Sequence, residues 1–151
     1  MRFRPTGVFW FCLLASTACF ASSSFAQRTE VTIRALNGKT GSLLANQRLV
    51  IFVGESAEAA TFHQRAIDAQ TDKNGLVVIP VVSAKTSWIQ VWADGLTLCQ
   101  SEPNRKSFSV DMILSSGLSA PNNCGSLAQA TAPGQFTVYA RLATFSEKMA
   151  R

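Results

Sequence analysis

The first 26 residues have the parts of a secretory signal peptide, and this restricts what the rest of the chain can fold into. Arg2 and Arg4 provide a positive start, residues 8–14 (VFWFCLL) are apolar, and residues 24–26 (SFA) carry the small-x-small pattern read by signal peptidase. The apolar run is shorter than the roughly 20 residues that cross a bilayer. We therefore expect cleavage before Gln27 and a periplasmic or extracellular mature protein.

Removal of this segment from the 151-residue chain leaves 125 residues, enough for one domain with its own core. We expect a folded domain over residues 27–144 and a polar tail over 145–151, with no transmembrane segment in the mature chain. The net charge of +5 falls to +3 because two arginines leave with the signal. The remaining basic residues are scattered along the sequence, whereas a nucleic-acid-binding surface needs a concentrated stripe, so we expect no nucleic-acid partner.

The cysteines divide between the signal and the mature domain. Cys99 and Cys124 are the mature pair, an even number in an oxidising compartment. A disulfide between them closes a loop of 25 residues, worth on the order of 3 kcal/mol in the chain-entropy model. The alternatives are two buried thiols or part of a metal site. Since the chain has one histidine and no CxxC motif, we expect no metal and no cofactor.

Cys19 lies in the predicted signal and offers a second way of processing the N-terminus. Small residues precede it at 16–18, but the leucine usual three positions before a lipoprotein cysteine is missing. Lipidation of Cys19 is therefore a minority alternative to cleavage before Gln27.

Alternation of apolar and polar residues is the main structural signal of the mature chain. It predicts strands, each short and separated by turn residues, at 30–36, 47–53, 63–70, 76–82, 87–93, 96–99 and 135–142. For 63–70 a helix is the alternative, because alanine, glutamine and arginine also suit a helix. Ser109 as a cap, helical apolar spacing and Gly117 as a stop predict one short helix near 109–117. Residues 54–60 carry no strand signal and are predicted to be a loop. This pattern favours an all-β, immunoglobulin- or prealbumin-like β-sandwich of six or seven strands.

Two features constrain how these strands are connected. Residues 71–75 (TDKNG) end in Asn-Gly, which readily takes positive φ and suits a tight hairpin. Pro80 cannot donate a hydrogen bond to a ladder, so it marks an edge position, a bulge or the end of a strand.

The chain also resembles a known group of domains. The segments 31–33 (VTI), 41–50 (GSLLANQRLV), 71–76 (TDKNGL) and 91–95 (VWADG) resemble the carboxypeptidase regulatory-like and collagen-adhesin B-type domains of secreted bacterial proteins. The resemblance covers about residues 30–99 and implies a prealbumin-like sandwich. It implies nothing specific about function, and Leu96 stands where the pattern usually has an aromatic residue.

Enzyme chemistry finds little support in the sequence. His63 is the only histidine, and no Gly-x-Ser-x-Gly elbow is present to display a nucleophile. A solvated loop residue is the simpler interpretation of His63. We therefore assign no catalytic residue and expect a protein that is not an enzyme.

The most site-like feature is the alternation around Trp88, Gln90 and Trp92. These residues share one strand face, and the two indoles are about 13 Å apart along the strand. On an exposed face, the indoles can stack on sugar rings or on the apolar surface of a partner, with Gln90 as a polar contact between them. The competing interpretation is that this face is the core, since tryptophan is usually well buried.

These observations favour a secreted, non-enzymatic β-sandwich module for binding or structural interaction with an unidentified protein or glycan partner. The alternative is a carbohydrate-binding domain that uses the tryptophan pair. An uncharacterised hydrolase is a distant third.

Overall fold

A computed structural model describes residues 30–62, 65–81, 86–100 and 106–144. The predicted signal peptide, Cys19, His63 and the predicted tail at 145–151 lie outside the described residues. Within them the chain forms two sheets and two short helices. The elements in chain order are β1 (Glu30–Asn37), β2 (Arg48–Gly54), α1 (Ala57–Thr61), β3 (Ala66–Gln70), β4 (Leu76–Pro80), β5 (Trp88–Ala93), β6 (Leu96–Leu98), β7 (Phe108–Ser109), α2 (Val110–Ser116), β8 (Leu118–Ser119) and β9 (Gln135–Leu142).

The first sheet has the order β4-β1-β9-β6, and β8 also pairs with β9. β1 is antiparallel to β4 and parallel to β9. β1 pairs with one edge of β9. On the other edge, β8 pairs with the start of β9 and β6 with its end, so β9 is hydrogen-bonded along both edges. Pro80 closes the edge strand β4, in agreement with its inability to donate to a ladder.

The second sheet has the order β3-β2-β5-β7, with every described pairing antiparallel. In β2, Leu49, Ile51 and Val53 are buried and alternate with residues that point away from the core. In β5 the buried apolar positions are Ile89, Val91 and Ala93. These residues meet the inward positions of the first sheet, including Ile33 and Phe136, in one hydrophobic core between the two sheets.

Helix α2 confirms the helix predicted near 109–117. The Ser109 hydroxyl accepts a hydrogen bond from the Met112 amide, which satisfies one of the free donors at the helix start. Gly117 ends the helix at φ +75°, a conformation that glycine adopts without steric cost. Ile113 is fully buried and joins the helix to the core.

The structure corrects two predictions about element number. Residues 54–60 were expected to form a loop, but α1 begins at Ala57 because the Ser56 hydroxyl accepts a hydrogen bond from the Ala59 amide at 3.1 Å. The described residues also form nine strands rather than six or seven. The additional ones are β7 and β8, two-residue strands too short to show alternation in sequence. The architecture is an all-β sandwich of two sheets, as expected.

The tight hairpin predicted at 71–75 is wrong, although the turn itself is present. β3 and β4, which the turn connects, belong to different sheets. The Thr71 hydroxyl donates to the Leu44 carbonyl at 2.7 Å and accepts from the Gln47 amide at 2.8 Å, so it fastens the crossing chain to another loop. The positive φ of +68° lies at Gly75.

The predicted disulfide between Cys99 and Cys124 is confirmed, with an S–S distance of 2.03 Å and a Cα–Cα distance of 5.2 Å. The bond ties the end of β6 to the long segment between β8 and β9. Together with Leu36 and Tyr139, the two cysteines form a second, smaller apolar cluster on the outer side of the first sheet. Among the described residues, no helix has the length and apolar character needed to cross a bilayer.

Candidate functional site

Strand alternation decides which side of β5 is available to a ligand. Ile89, Val91 and Ala93 point into the core. Trp88, Gln90 and Trp92 therefore lie on the opposite side, the outer face of the second sheet. The interpretation of this face as the core does not agree with the structure. The three predicted site residues nevertheless differ sharply in exposure.

Trp92 is the exposed member, with 36% of its surface accessible. It lies opposite Val50 on β2. The Phe52 ring packs against the indole edge-to-face, with ring centroids 5.8 Å apart and an interplanar angle of 86°. Such aromatic pairs contribute about 0.5–1.5 kcal/mol beyond the area that they bury, and they hold the indole in a defined orientation. We call the surface formed by Val50, Phe52, Asp68, Arg48 and Trp92 the Trp92 face.

Charged groups border the aromatic pair on one side. The Arg48 guanidinium lies 3.0 Å from the Asp68 carboxylate and 3.7 Å from the Asp94 carboxylate. The side chains are about 60% or more exposed, so these ion pairs contribute little to stability. Their effect is to hold one guanidinium between two acidic groups beside the aromatic pair.

Gln90 does not lie at the surface. Its side chain is fully buried, and neither its amide nitrogen nor its amide oxygen has a hydrogen-bond partner. Trp88 is half-buried. The structure therefore does not present two indoles and an amide as one open strip, and Trp92 alone of the three has the exposure that direct contact with a ligand requires.

Helix α1 explains part of this difference, and sequence reasoning missed it. Gly54 occupies an outward position of β2, paired with Trp88. A Cβ atom added there would lie 2.4 Å from the Ala60 nitrogen, so α1 packs directly on the outer face at this end. The helix also packs against β5. The sequence signal was Ser56 followed by Glu58 and three alanines, a capped helix start in a segment without strand periodicity.

A second concave surface lies on the outer side of the first sheet. A cavity of about 420 Å³ is lined by Ser119 of β8, by the segment that follows it and by Tyr139. Tyr139 is buried, and its hydroxyl accepts hydrogen bonds from the Gln129 amide at 2.8 Å and from the Ser119 hydroxyl at 3.4 Å. Tyr139 lies in the strand predicted at 135–142, and the sequence gave no sign that the loop covers it.

Among the described residues, no group of three or more histidine, cysteine, aspartate or glutamate side chains is close enough together to hold a metal ion. The amide of Leu76 donates to the Asp72 carboxylate at 2.8 Å and lowers the pKa of that group below its ordinary value of 3.8. Desolvation opposes this shift, and the Asn74 amide, also at 2.8 Å, adds to it. Asp72 therefore stabilises a turn.

Comparison of the chain with protein-family models, with curated proteins and with solved structures found no match.

Proposed function

We propose that this protein is a secreted, non-enzymatic β-sandwich module that binds a protein partner through the Trp92 face. The observation that carries the proposal is the exposed Trp92 indole, held edge-on by Phe52 and bordered by the Arg48 guanidinium. Tryptophan and arginine are the residue types that most often dominate the binding energy of protein interfaces. An apolar centre with a charged rim is also the usual anatomy of such interfaces.

Secretion is part of the proposal. It is supported by the signal-like pattern before Gln27, and the Cys99–Cys124 disulfide is consistent with an oxidising compartment. A mature N-terminus at Gln27 in the exported protein supports it, whereas a diacylglycerol group on Cys19 contradicts cleavage before Gln27 and places the exported protein at a membrane surface.

We further propose a prealbumin-like type for the sandwich. Its support is the resemblance of the segments 41–50 and 71–76 to carboxypeptidase regulatory-like domains. In this chain the two segments are joined by the hydrogen bonds of Thr71 to Leu44 and Gln47.

A carbohydrate-binding role is the second candidate, and one specific observation favours it. The exposed Trp92 ring lies in the same face as the carboxylates of Asp68 and Asp94, which can accept hydrogen bonds from sugar hydroxyls. A glycan site that uses both tryptophans has less support, because Gln90 is fully buried and Trp88 half-buried.

The test compares Trp92→Ala with Val78→Ala, an exposed apolar residue on the other sheet. Cross-linking of each purified variant in extract of its native envelope should capture a partner with wild-type and Val78→Ala protein but not with Trp92→Ala. Equal capture by Trp92→Ala contradicts the proposed face.

Binding on a glycan array that Trp92→Ala abolishes favours the carbohydrate candidate instead. A hydrolytic activity that His63→Ala removes would overturn the non-enzymatic assignment.

A further inference from the structure

The free edge of β3 can bind the backbone of another chain. β3 is the outermost strand of the second sheet, and in the part of the chain that the structure describes only β2 pairs with it. It has five residues, none of them proline. The three that point away from the core are exposed, and we call them the edge residues: Ala66, Asp68 and Gln70. An edge strand leaves a row of backbone donors and acceptors unpaired, and these groups can bind a further strand.

The ladder between β2 and β3 shows which backbone groups remain unpaired. Just before β3, the Arg65 carbonyl accepts a hydrogen bond from the Val53 amide at 3.0 Å, so these two residues form a hydrogen-bonded pair. Such pairs alternate along an antiparallel ladder, and at its other end the Thr71 amide donates to the Gln47 carbonyl at 2.9 Å in the same phase. The odd-numbered residues of β3 therefore bond to β2, and the N–H and C=O groups of the edge residues face the free edge.

The edge strand of the first sheet is protected in a way that β3 is not. The same reasoning for the ladder between β1 and β4 places Leu76, Val78 and Pro80 at the free edge of β4. The Leu76 amide donates to the Asp72 carboxylate, the Leu76 carbonyl accepts from the Asp72 amide at 2.9 Å, and Pro80 has no N–H group. Within the described chain, Val78 alone of the three keeps an unbonded amide. The remaining edge strands, β6 and β7, have only three and two residues, so β3 is the edge most open to pairing.

The side chains of β3 specify the chemistry of an added strand. The inward residues Ile67 and Ala69 are half-buried and pack against the main core, so apolar side chains of an added strand would extend the core beside them. Asp68 lies at the centre of the outward side, and its side chain is 62% exposed. Arg48 donates to its Oδ1 atom, and among the described residues no donor bonds to its Oδ2 atom. A second cation can therefore pair with this carboxylate.

Charge also decides between a second copy of this chain and a different partner. Residues directly opposite each other in an antiparallel pair have Cβ atoms about 4.5–5.5 Å apart, where opposite charges attract and like charges repel. A second copy of β3 paired about its central residue would bring two Asp68 carboxylates together. A basic side chain at that position complements Asp68 instead.

We propose that β3 pairs antiparallel with an extended segment of a partner protein in which one basic residue is flanked by two apolar residues. The backbone of the segment bonds to the edge residues, its basic side chain lies opposite Asp68, and its apolar side chains lie beside Ile67 and Ala69. Main-chain hydrogen bonds supply the affinity in this mode of recognition, and alternate side chains supply the specificity. The site shares Asp68 with the Trp92 face, but it does not depend on contact between the partner and Trp92.

Nuclear magnetic resonance of the exported protein tests the site with short capped peptides. The probe has the sequence threonine-valine-lysine-valine-threonine. One control has glutamate in place of lysine, and a second has an N-methyl group on the lysine amide. The lysine peptide should slow hydrogen exchange at the amides of the edge residues at least about fivefold, and it should bind about tenfold more tightly than either control.

Equal binding of either control peptide overturns the proposal, because the site requires both the charge and the main-chain hydrogen bond. Unchanged exchange at the edge residues with millimolar lysine peptide overturns it as well. Dimerisation of the free protein through β3 would also contradict it, since the occupant would then be a second copy of the chain.

Variants of the protein test the same bonds from the other side. Ala66→Pro removes an amide that faces the free edge and no bond to β2, so it should leave the melting temperature near that of the wild type and weaken binding of the lysine peptide about tenfold. Asp68→Asn should weaken it about threefold, whereas Asp94→Asn removes a similarly exposed partner of the same Arg48 and should not. Wild-type affinity in either Ala66→Pro or Asp68→Asn contradicts the site.

Trp92→Ala separates this site from the function proposed for the Trp92 face. The variant should bind the lysine peptide as the wild type does, even if it no longer captures a partner. Loss of peptide binding in Trp92→Ala would place the peptide on the Trp92 face and overturn the edge site. If Ala66→Pro does not fold, the N-methylated peptide and Asp68→Asn still decide the outcome.

Discussion

The hydroxyl of Tyr139 accepts a hydrogen bond from the backbone amide of Gln129 at 2.8 Å, and this bond joins the long loop before β9 to the outer face of the first sheet. Tyr139 is 1% exposed although its strand alternation places it away from the main core. The loop therefore acts as a cover over that face, held by the phenol at one point and by the Cys99–Cys124 disulfide at another.

Tyr139→Phe should loosen the loop without opening a cavity in the core. The change leaves the Gln129 amide without its acceptor, and we expect a loss of about 1 kcal/mol in the free energy of unfolding. Hydrogen exchange at the Gln129 amide should accelerate at least about fivefold. Ser119→Ala removes only the 3.4 Å contact to the same phenol and should affect this amide much less. Unchanged protection of Gln129 in Tyr139→Phe would show that the bond does not hold the loop in solution.

Replacement of both Cys99 and Cys124 by serine should lower the free energy of unfolding by roughly 3 kcal/mol. The reason is that the bond closes a 25-residue loop and so restricts the unfolded chain. Urea denaturation measures the loss, and reduction of the wild-type protein should give a similar value. Free thiols detected by mass spectrometry in the unreduced exported protein would refute the premise.

A pair of glycine substitutions separates backbone strain from steric contact. Gly75 and Gly95 both have φ of +68°, so alanine at either position is expected to cost about 1 kcal/mol in backbone strain. At Gly75 the added Cβ would also lie 2.9 Å from the Ala35 carbonyl oxygen, whereas nothing lies within 4 Å of it at Gly95. Gly75→Ala should therefore be the more destabilising change in thermal denaturation. Equal losses of stability would mean that the backbone around Ala35 moves away from the added Cβ atom without further destabilising the protein.

Asp72 should make stability depend on pH in the acid range. Hydrogen bonds from the amides of Leu76 and Asn74 lower the pKa of Asp72 in the folded protein below its ordinary value of 3.8. The stabilisation is therefore complete above about pH 4 and is lost as the pH falls from 3.8 through the folded pKa. Asp72→Asn should remove this part of the pH dependence in urea denaturation between pH 2 and 7.

Glu55→Gln provides the control for Asp72, because Glu55 is an exposed carboxylate in another loop. Its pH profile is measured over the same range. A profile of Asp72→Asn parallel to that of the wild type would contradict the assigned role of the turn carboxylate.

Trp92→Ala should destabilise the protein far less than a core substitution does. The side chain is 36% exposed and its described ring contact is to Phe52, so we expect a loss of about 1–2 kcal/mol, compared with 3–5 kcal/mol for a buried tryptophan. Iodide should quench the fluorescence of wild-type protein more strongly than that of Trp92→Ala, in which Trp88 is half-buried. A loss as large as that of a core residue would place the indole in the interior and remove the basis of the Trp92 face.

The sequence by itself determined the features that local chemistry controls. Period-2 alternation located the main strands and placed Ile89 and Val91 on the face opposite Trp92, but only the structure showed that the face of Ile89 and Val91 meets the core. Ser109 and Gly117 defined α2 because caps act within a single turn of chain. The pairing of Cys99 with Cys124 followed because the predicted mature chain has no other cysteine.

Tertiary structure decided which elements meet across the sheets. The turn at 71–75 has the same local chemistry whether its flanking strands pair or separate, and only the two-sheet arrangement places β3 and β4 apart. Alternation left open whether the face of Gln90 is exposed or core, and the structure places Gln90 on the outer face but fully buried, where α1 packs. Arg34 and Thr137 are about 100 positions apart and become neighbours only in the parallel ladder between β1 and β9. Period and propensity fix which residues share a face of a strand, whereas the side that meets the core and the neighbours across the sheet depend on long-range pairing that no local pattern encodes.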